Sequence, residues 1–233
     1  MLLLSWNKII YNYLQINAIF EKQEIDYLGH RITYEGITPL PDKIKAILSL
    51  REPKTLSQAN HFIGAISWYR KFIPKFAVVA APIHGVTNLT KPNRHKFKWK
   101  REQSASFREI KKLLTEEPLF LSFPDDSQPL ILTTDFSKQG ISGVLQQEID
   151  GQIRNLYYHS QMLTKHQKNY DIVAGEALAI LLSFKRMRPY ILGRRITIYT
   201  DHCPLCAMNT KTLKNSIANR IGILLHNILT SRK

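Results

Sequence analysis

Two short β-prone runs in this chain end in the same way, each at an aspartate just before a break. The first is Leu130–Asp135 and the second is Ile196–Asp201, and turn-prone residues follow both. Runs of this kind are typical of strands. Between them lies one long helical pattern, and its apolar middle carries a single acid, Glu176. Two strand ends and one helix face can therefore bring three carboxylates to one edge of a sheet.

The order of elements predicts an α/β (α+β) fold. In the second half of the chain we expect strands at 129–135, 141–147 and 153–159, a helix at 169–188 ended by Pro189, a strand at 195–201 and a helix at 211–229. In the first half we expect a hairpin at 24–40 turning at Glu35-Gly36, and then helices at 41–50, 56–69 and 102–116, with shorter helices divided by Pro74 and Pro82.

The three acids differ in setting from the other acids of the second half. Glu176 lies in a helix that is apolar on most faces, where an unpaired carboxylate is costly unless a cation or hydrogen-bond donors compensate it. Clustered carboxylates resist ionising unless a multivalent cation neutralises them, and oxygen-only ligands suit Mg²⁺ or Mn²⁺. The alternative is three separately satisfied surface acids, and the spacing alone leaves both possibilities open.

The charge of the chain is strongly positive and uneven. The net charge is +15, and residues 43–118 contribute +11 of it, from 16 Lys/Arg and 5 Asp/Glu. The same segment holds aromatic residues, among them Trp68 and Trp99. Basic residues interleaved with aromatics favour binding to a phosphate backbone and to stacked bases. The alternative is a solvated basic surface whose aromatics turn into the core.

Other features limit the classes of protein. The cysteines, Cys203 and Cys206, form a lone C-x-x-C without further ligands, so we expect reduced thiols and no redox or zinc role. Met1–Leu4 is too short for a signal-peptide core, and no segment reaches transmembrane length. We therefore expect an intracellular protein, in the cytoplasm or nucleus, that has no membrane partner.

An ordered set of motifs resembles the C-terminal part of a gypsy-type LTR-retrotransposon reverse transcriptase. Each motif alone is weak, but the set keeps the family's order and spacing from about residue 12 to 206. The matching stretches are Tyr27–His30, Gly36–Pro39, Phe62–Gly64, Trp68–Ile73, Phe97–Trp99, Thr134–Ser137, Gly140–Gln147, Asn169-Tyr170, Glu176–Ile180, Tyr190–Gly193 and Tyr199–His202.

The resemblance implies three regions. Residues 1–50 would be the end of the polymerase palm, a small β-hairpin remnant. Residues 51–122 would be the basic, mainly helical thumb and connecting region. Residues 123–233 would form an RNase H-like domain, a mixed sheet with flanking helices.

The resemblance also implies the chemistry. Asp135, Glu176 and Asp201 fall on the family's catalytic, metal-binding positions, with Asp135 bridging two Mg²⁺ (or Mn²⁺) ions and the others each holding mainly one. The family uses ions about 3.5–4 Å apart to cut the RNA strand of an RNA–DNA hybrid. The basic region would bind the phosphate backbone of the hybrid, and Arg70 and Lys71 are the expected nucleic-acid contacts.

The sequence also departs from the family pattern. The polymerase's YxDD hairpin should precede residue 1, and the fourth RNase H acid should lie beyond Lys233. Phe136 stands where the family usually has a small residue. We therefore expect a fragment or a decayed copy of a polyprotein, without polymerase activity, with the rest of the polyprotein as a possible partner.

Two further functions stay open. A non-catalytic nucleic-acid-binding remnant would use only the basic region. An integrase-type nuclease shares the fold but has its glutamate after two aspartates, so the order Asp, Glu, Asp disfavours it.

Overall fold

The computed structural model describes residues 23–87, 89, 91–116, 119–201, 217 and 219–223. Cys203, Cys206, the start of the predicted palm remnant and most of the predicted last helix lie outside these residues. Within them, no helix is both long and apolar enough to cross a membrane.

The first half is a small antiparallel sheet joined to helices. Its strands are β1 (Glu24–Tyr27), β2 (His30–Thr33), β3 (Gly36–Pro39) and β4 (Leu121–Ser122), in the order β1-β2-β3-β4. Its helices are α1 (Pro41–Ser49), α2 (Leu56–Ser67), α3 (Phe76–His84) and α4 (Arg101–Glu116), with 3₁₀ turns at Arg70–Phe72 and Lys91–Lys96.

Local signals explain where two of these helices begin. α1 starts with a proline, whose missing N–H needs no partner in the first helical turn. α2 begins after Thr55, whose hydroxyl accepts a hydrogen bond from Gln58 N, while the Gln58 side chain bonds back to Thr55 N. This capping box satisfies two backbone donors that the helix leaves unpaired.

The second half is a mixed sheet with one long helix against it. Strands β5 (Leu130–Phe136), β6 (Gly140–Ile149), β7 (Gln152–Met162) and β8 (Ile196–Tyr199) are arranged in the order β7-β6-β5-β8. β5 pairs antiparallel with β6 and parallel with β8. Helix α5 (Ile172–Ile191) connects β7 to β8, and residues 217 and 219–223 are also helical.

Helix α5 begins and ends about three residues later than the predicted span of 169–188. Asp171 caps it, because its carboxylate accepts a hydrogen bond from Ala174 N at 2.8 Å. The prediction that Pro189 ends the helix is wrong. The helix continues to Ile191, and Leu192 N donates to Arg188 O. A proline three residues from the end removes one hydrogen bond, and the buried Met187 and Ile191 keep the last turn on the sheet.

Each half has its own hydrophobic core. In the first, buried side chains from α1 to α4 pack with Leu121 of β4. In the second, the buried faces of β5, β6 and β7 pack against α5, and Ile221 completes this cluster. The predicted boundaries at 50 and 122 stay predictions, and the contact of β4 with β3 places Leu121 in the first core.

Ser160 of β7 joins the two halves. The Arg70 guanidinium donates to Ser160 O at 2.6 Å, and Ala77 N at the start of α3 donates to Ser160 Oγ at 2.8 Å. Ser160 is buried at this contact. Helix α3 is thereby fixed on the outer strand of the second sheet.

Gly36 is needed where β3 meets β4. A Cβ there would overlap Leu121 O, and would lie 2.7 Å from Phe120 Cζ and 3.0 Å from Leu121 C. We expect Gly36→Ala to lower the free energy of unfolding by about 2–3 kcal/mol, because backbone atoms have to move. Urea denaturation measures the change.

Gly64 provides the matched control, because a Cβ there would meet no atom within 4 Å. It lies in α2, so Gly64→Ala should stabilise the protein by about 0.5–1 kcal/mol. Equal effects of the two substitutions would contradict the close approach of β3 and β4.

Candidate active site

The two aspartates lie at the same edge of the second sheet. β5 and β8 are parallel neighbours, with Thr133 opposite Tyr199, so their carboxyl ends point the same way. Asp135 is the penultimate residue of β5, and Asp201 comes two residues after β8. Both side chains are exposed to solvent. The two strands therefore lie side by side, which is the condition for their aspartates to share one edge of the sheet.

Glu176, in contrast, is buried at this edge. It lies in the second turn of α5 with 2% of its surface exposed. One oxygen, Oε1, accepts a hydrogen bond from Phe136 N at 3.1 Å, which fixes the helix to the end of β5. The other oxygen, Oε2, is buried and receives no hydrogen bond from the described residues.

Gly175 lets the helix approach the strand this closely. A Cβ at Gly175 would overlap the ring of Phe136. The bulky Phe136, which differs from the small residue usual in the family, is therefore accommodated by the absence of a side chain on α5. Gly175 was not among the residues predicted to matter, although a glycine inside a strongly helical pattern can indicate a close approach of this kind.

The electrostatics of the cluster centre on Glu176. Burial and, after it, the nearby charges of Asp201 and Asp135 raise the pKa of Glu176 to about 7, against the lowering effect of the Phe136 N–H. Burial and the neighbouring acids therefore favour the protonated form of Glu176 when no cation is bound.

The convergence of the three acids is incomplete. Within the described ranges, no group of three His, Cys, Asp or Glu side chains is close enough to hold an ion. The Asp135 carboxylate makes an ion pair with Lys75, with 3.3 Å between Lys75 Nζ and Asp135 Oδ2. Lys75 was not among the expected site residues. It lies 60 residues before Asp135 in the sequence, and nothing in that spacing indicates that the two side chains form an ion pair.

The donor set nevertheless fits a divalent cation. Three carboxylates share one edge, and one of their oxygens is buried without a hydrogen-bond donor. A carboxylate whose pKa is raised by neighbouring acids gains more from a multivalent cation than an isolated one does. Oxygen-only ligands match Mg²⁺ or Mn²⁺.

The two expected nucleic-acid contacts lie beside the inter-domain contact. Arg70 is half-buried, bonds Ser160 O and stands 5.9 Å from the centre of the Phe76 ring. Lys71 is half-buried, with Nζ 5.2 Å from the centre of the Phe72 ring. Burial lowers the pKa of both side chains. Arg70 thus has a structural partner, and the nucleic-acid role of both residues stays a prediction.

The aromatics of the basic segment divide between core and surface. Tyr69, Phe72 and Phe76 are buried, whereas Trp68 is 54% exposed. The Trp68 indole donates to Leu28 O at 3.0 Å and thereby holds the turn between β1 and β2.

Known proteins resemble the chain in sequence. Residues 99–198 match the family described as "RNase H-like domain found in reverse transcriptase". The chain is 37% identical over 186 residues to the "Retrovirus-related Pol polyprotein from transposon 297" of Drosophila melanogaster, covering 80% of the chain and 17% of that polyprotein. The chain is 32% identical over 194 residues to the "Retrovirus-related Pol polyprotein from transposon gypsy" of the same organism. This match covers 80% of the chain and 18% of that polyprotein.

The fold agrees with these similarities. A foamy viral protease–reverse transcriptase, solved "in complex with RNA/DNA hybrid", superposes with a TM-score of 0.71 over 88% of this chain and 28% of that chain, at 18% identity. The expected α/β fold with an RNase H-like domain is thereby confirmed. The chain spans less than a fifth of the two Pol polyproteins described above. The chain belongs to the family of gypsy-type retrotransposon Pol polyproteins and corresponds to their reverse transcriptase and RNase H region.

Proposed function

We propose that this chain carries the RNase H activity of a retrotransposon reverse transcriptase, the hydrolysis of RNA in RNA–DNA hybrids with two divalent ions. The main support is the position of Glu176, a buried carboxylate that is fixed to the end of β5 and is acted on by the charges of Asp201 and Asp135. A buried acid with an unpartnered oxygen is costly to keep unless it has a role that needs its charge.

Asp135, Glu176 and Asp201 would hold the ions. Bound Mg²⁺ or Mn²⁺ would supply Lewis acidity, which activates water and stabilises the leaving 3′-oxygen. Asp135 is the proposed shared ligand, because it lies at the end of β5, the strand that binds Glu176 through Phe136 N and pairs with the strand that leads to Asp201. The Phe136 N–H keeps one oxygen of Glu176 fixed, and the second oxygen remains available for an ion.

The proposed substrate fits the charge of the chain. The segment 43–118 carries a net charge of +11 and precedes the acidic edge in sequence. Lys and Arg contacts to phosphates give affinity with little sequence preference, as the hydrolysis of any hybrid requires. Helix α3 of this segment packs on β7 through Ser160, so the segment that carries most of the positive charge contacts the sheet that carries the carboxylates.

An end-labelled hybrid tests the proposal. The chain is incubated with RNA–DNA hybrid, duplex RNA or duplex DNA, with Mg²⁺, with Mn²⁺ or with a chelator. We expect cleavage of the RNA strand of the hybrid only, and only with a divalent ion. A hybrid that stays intact with both ions, under conditions where it is bound, would contradict the proposal.

A second candidate function is nucleic-acid binding without catalysis. It is favoured by the ion pair between Lys75 and Asp135 and by the lack of a ready ion-binding cluster in the described part of the chain. Fluorescence anisotropy with a labelled hybrid distinguishes the two. Binding should weaken by about 10³-fold or more between 50 and 200 mM salt if about six phosphates are contacted.

For this second function, Asp135→Asn should leave binding unchanged, and no ion-dependent cleavage should occur. Binding that is equal at low and high salt would exclude it.

A further inference from the structure

Lys75 connects the helical region to the acidic edge of the sheet. It directly precedes α3, and its ammonium lies 3.3 Å from Asp135 Oδ2. Within the described residues, it is the only lysine or arginine in an ion pair with any of the three acids. The charges that act on Glu176 are those of Asp201 and Asp135, so Lys75 balances one carboxylate of the cluster and leaves the others uncompensated.

The backbone of Lys75 is held in an unusual conformation. Its φ of 51° lies in the left-handed region, which costs an L-residue about 1–2 kcal/mol. Lysine has no special preference for this region, whereas glycine and asparagine do. Such a conformation persists where the surroundings enforce it, and it can place a side chain for a specific role.

Contacts on both sides fix this position. The sheet register places Asp135 opposite Ser142 and Ser142 opposite Ser160, so the three side chains share one face. Ser160 Oγ accepts from Ala77 N, two residues after Lys75. From the other side, Ser106 of α4 donates to Val79 O at 2.6 Å. The start of α3 is therefore held above the row of side chains formed by Ser160, Ser142 and Asp135.

We propose that the Lys75 ammonium is a placeholder for a divalent ion: it neutralises Asp135 in the ion-free protein and leaves Oδ2 when an ion binds. The inference rests on the proposed function, since it requires an ion site at Asp135. Both the ammonium and the ion are attracted by the same carboxylate oxygen, so they compete. Lys75 thus acts on the ion indirectly, through its pairing with Asp135. In this way the helical region contributes a side chain to the ion site.

Titration of Mn²⁺, with free Mn²⁺ measured by electron paramagnetic resonance, tests this without an activity assay. Lys75→Asn removes the charge and keeps a residue that tolerates the left-handed backbone. Because exposed ion pairs are weak, we expect Mn²⁺ to bind about twofold to fivefold more tightly to this variant. Lys75→Arg keeps the charge and should bind Mn²⁺ as the unaltered protein does.

Lys138→Asn is the matched control. Lys138 is exposed, lies three residues after Asp135 and makes no ion pair among the described side chains, so its replacement should leave Mn²⁺ affinity unchanged. Unchanged or weaker binding to Lys75→Asn, or equal tightening in both variants, would overturn the placeholder role.

Asp135→Asn separates the two proposals. It should weaken Mn²⁺ binding, and on this background Lys75→Asn should have no further effect, because the shared partner is gone. If Asp135→Asn binds Mn²⁺ as the unaltered protein does, the ion site fails and the placeholder role with it. If Asp135→Asn weakens binding while Lys75→Asn changes nothing, the ion site stands and only the role of Lys75 is refuted.

Discussion

Asp135→Asn is expected to lower the rate of ion-dependent cleavage of an RNA–DNA hybrid by about 10³-fold or more. Ion-bound groups supply several kcal/mol of transition-state stabilisation, and each 1.36 kcal/mol corresponds to a factor of ten in rate. The amide keeps the shape of the side chain but loses the charge that the ions require. Single-turnover kinetics with labelled hybrid in excess Mg²⁺ or Mn²⁺ measure the loss.

Asp150→Asn is the matched control for this substitution. Asp150 is exposed in the turn between β6 and β7 with φ 54°, a conformation that asparagine also adopts. Its cleavage rate should equal that of the unaltered protein. Both variants should bind the hybrid equally well, so that the lower cleavage rate of Asp135→Asn reflects the chemical step and not binding. Cleavage by Asp135→Asn at the unaltered rate would refute the assignment of this residue.

Glu176→Gln is expected to stabilise the ion-free protein by up to about 3 kcal/mol above pH 7, while it abolishes cleavage. Glutamine is nearly isosteric and can still accept the hydrogen bond from Phe136 N. It removes a buried negative charge that faces Asp201 and Asp135. Urea denaturation from pH 4 to 8.5, with a chelator present, gives the free energy of unfolding of both proteins.

The pH dependence of this effect has a definite sign. In the folded protein Glu176 keeps its proton up to about pH 7, whereas the ordinary carboxyl loses it near pH 4.5. The folded state therefore binds more protons between these values, and the free energy of unfolding falls as the pH rises through this window. The difference between variant and unaltered protein should be near zero below pH 4.5 and reach its full size above pH 7.

His159 has the opposite effect over nearly the same range. Burial, and then the charges of Arg70 and Arg186, lower the pKa of His159 from 6.5 to about 4. The unfolded chain thus binds more protons between pH 4 and 6.5, and this contribution to stability grows as the pH rises. In the unaltered protein the two effects partly cancel. In Glu176→Gln the rise from His159, together with that from His30 and His84, whose pKa values burial also lowers, should appear without the opposing effect of Glu176.

Glu148→Gln is the control for the stability measurement, because Glu148 is exposed at the end of β6. Its stability should follow that of the unaltered protein at every pH. A Glu176→Gln variant that is less stable than the unaltered protein above pH 7 would contradict the raised pKa and the buried, uncompensated charge.

Local patterns in the sequence predicted the elements that carry the acids. The runs before Asp135 and Asp201 form strands, and the helical pattern that contains Glu176 forms α5. These predictions succeeded because strand propensity and the apolar pattern of a helix are local properties of the sequence. The end of α5 was wrong, because packing of Ile191 against the core outweighs the local effect of Pro189.

Contacts between distant residues could not be predicted in this way. The fit of Phe136 against Gly175 depends on how α5 crosses β5, and the pair between Lys75 and Asp135 depends on how α3 lies on β7. A glycine in a helical pattern can indicate a close approach but not its partner, and the pair between Lys75 and Asp135 leaves no mark in a single sequence. The family resemblance indicated the three acids, whereas their unequal burial and the competing ammonium required coordinates.

The double use of Ser160 has a mechanical consequence. Its carbonyl and its hydroxyl are both bound by residues of the helical region, so α3 and the outer strand of the sheet cannot slide past each other without breaking two hydrogen bonds. A duplex held by the helices would therefore meet the carboxylates at a constant number of base pairs from the point where it is held. The fold itself would then fix the distance between the point where the duplex is held and the position of the cut.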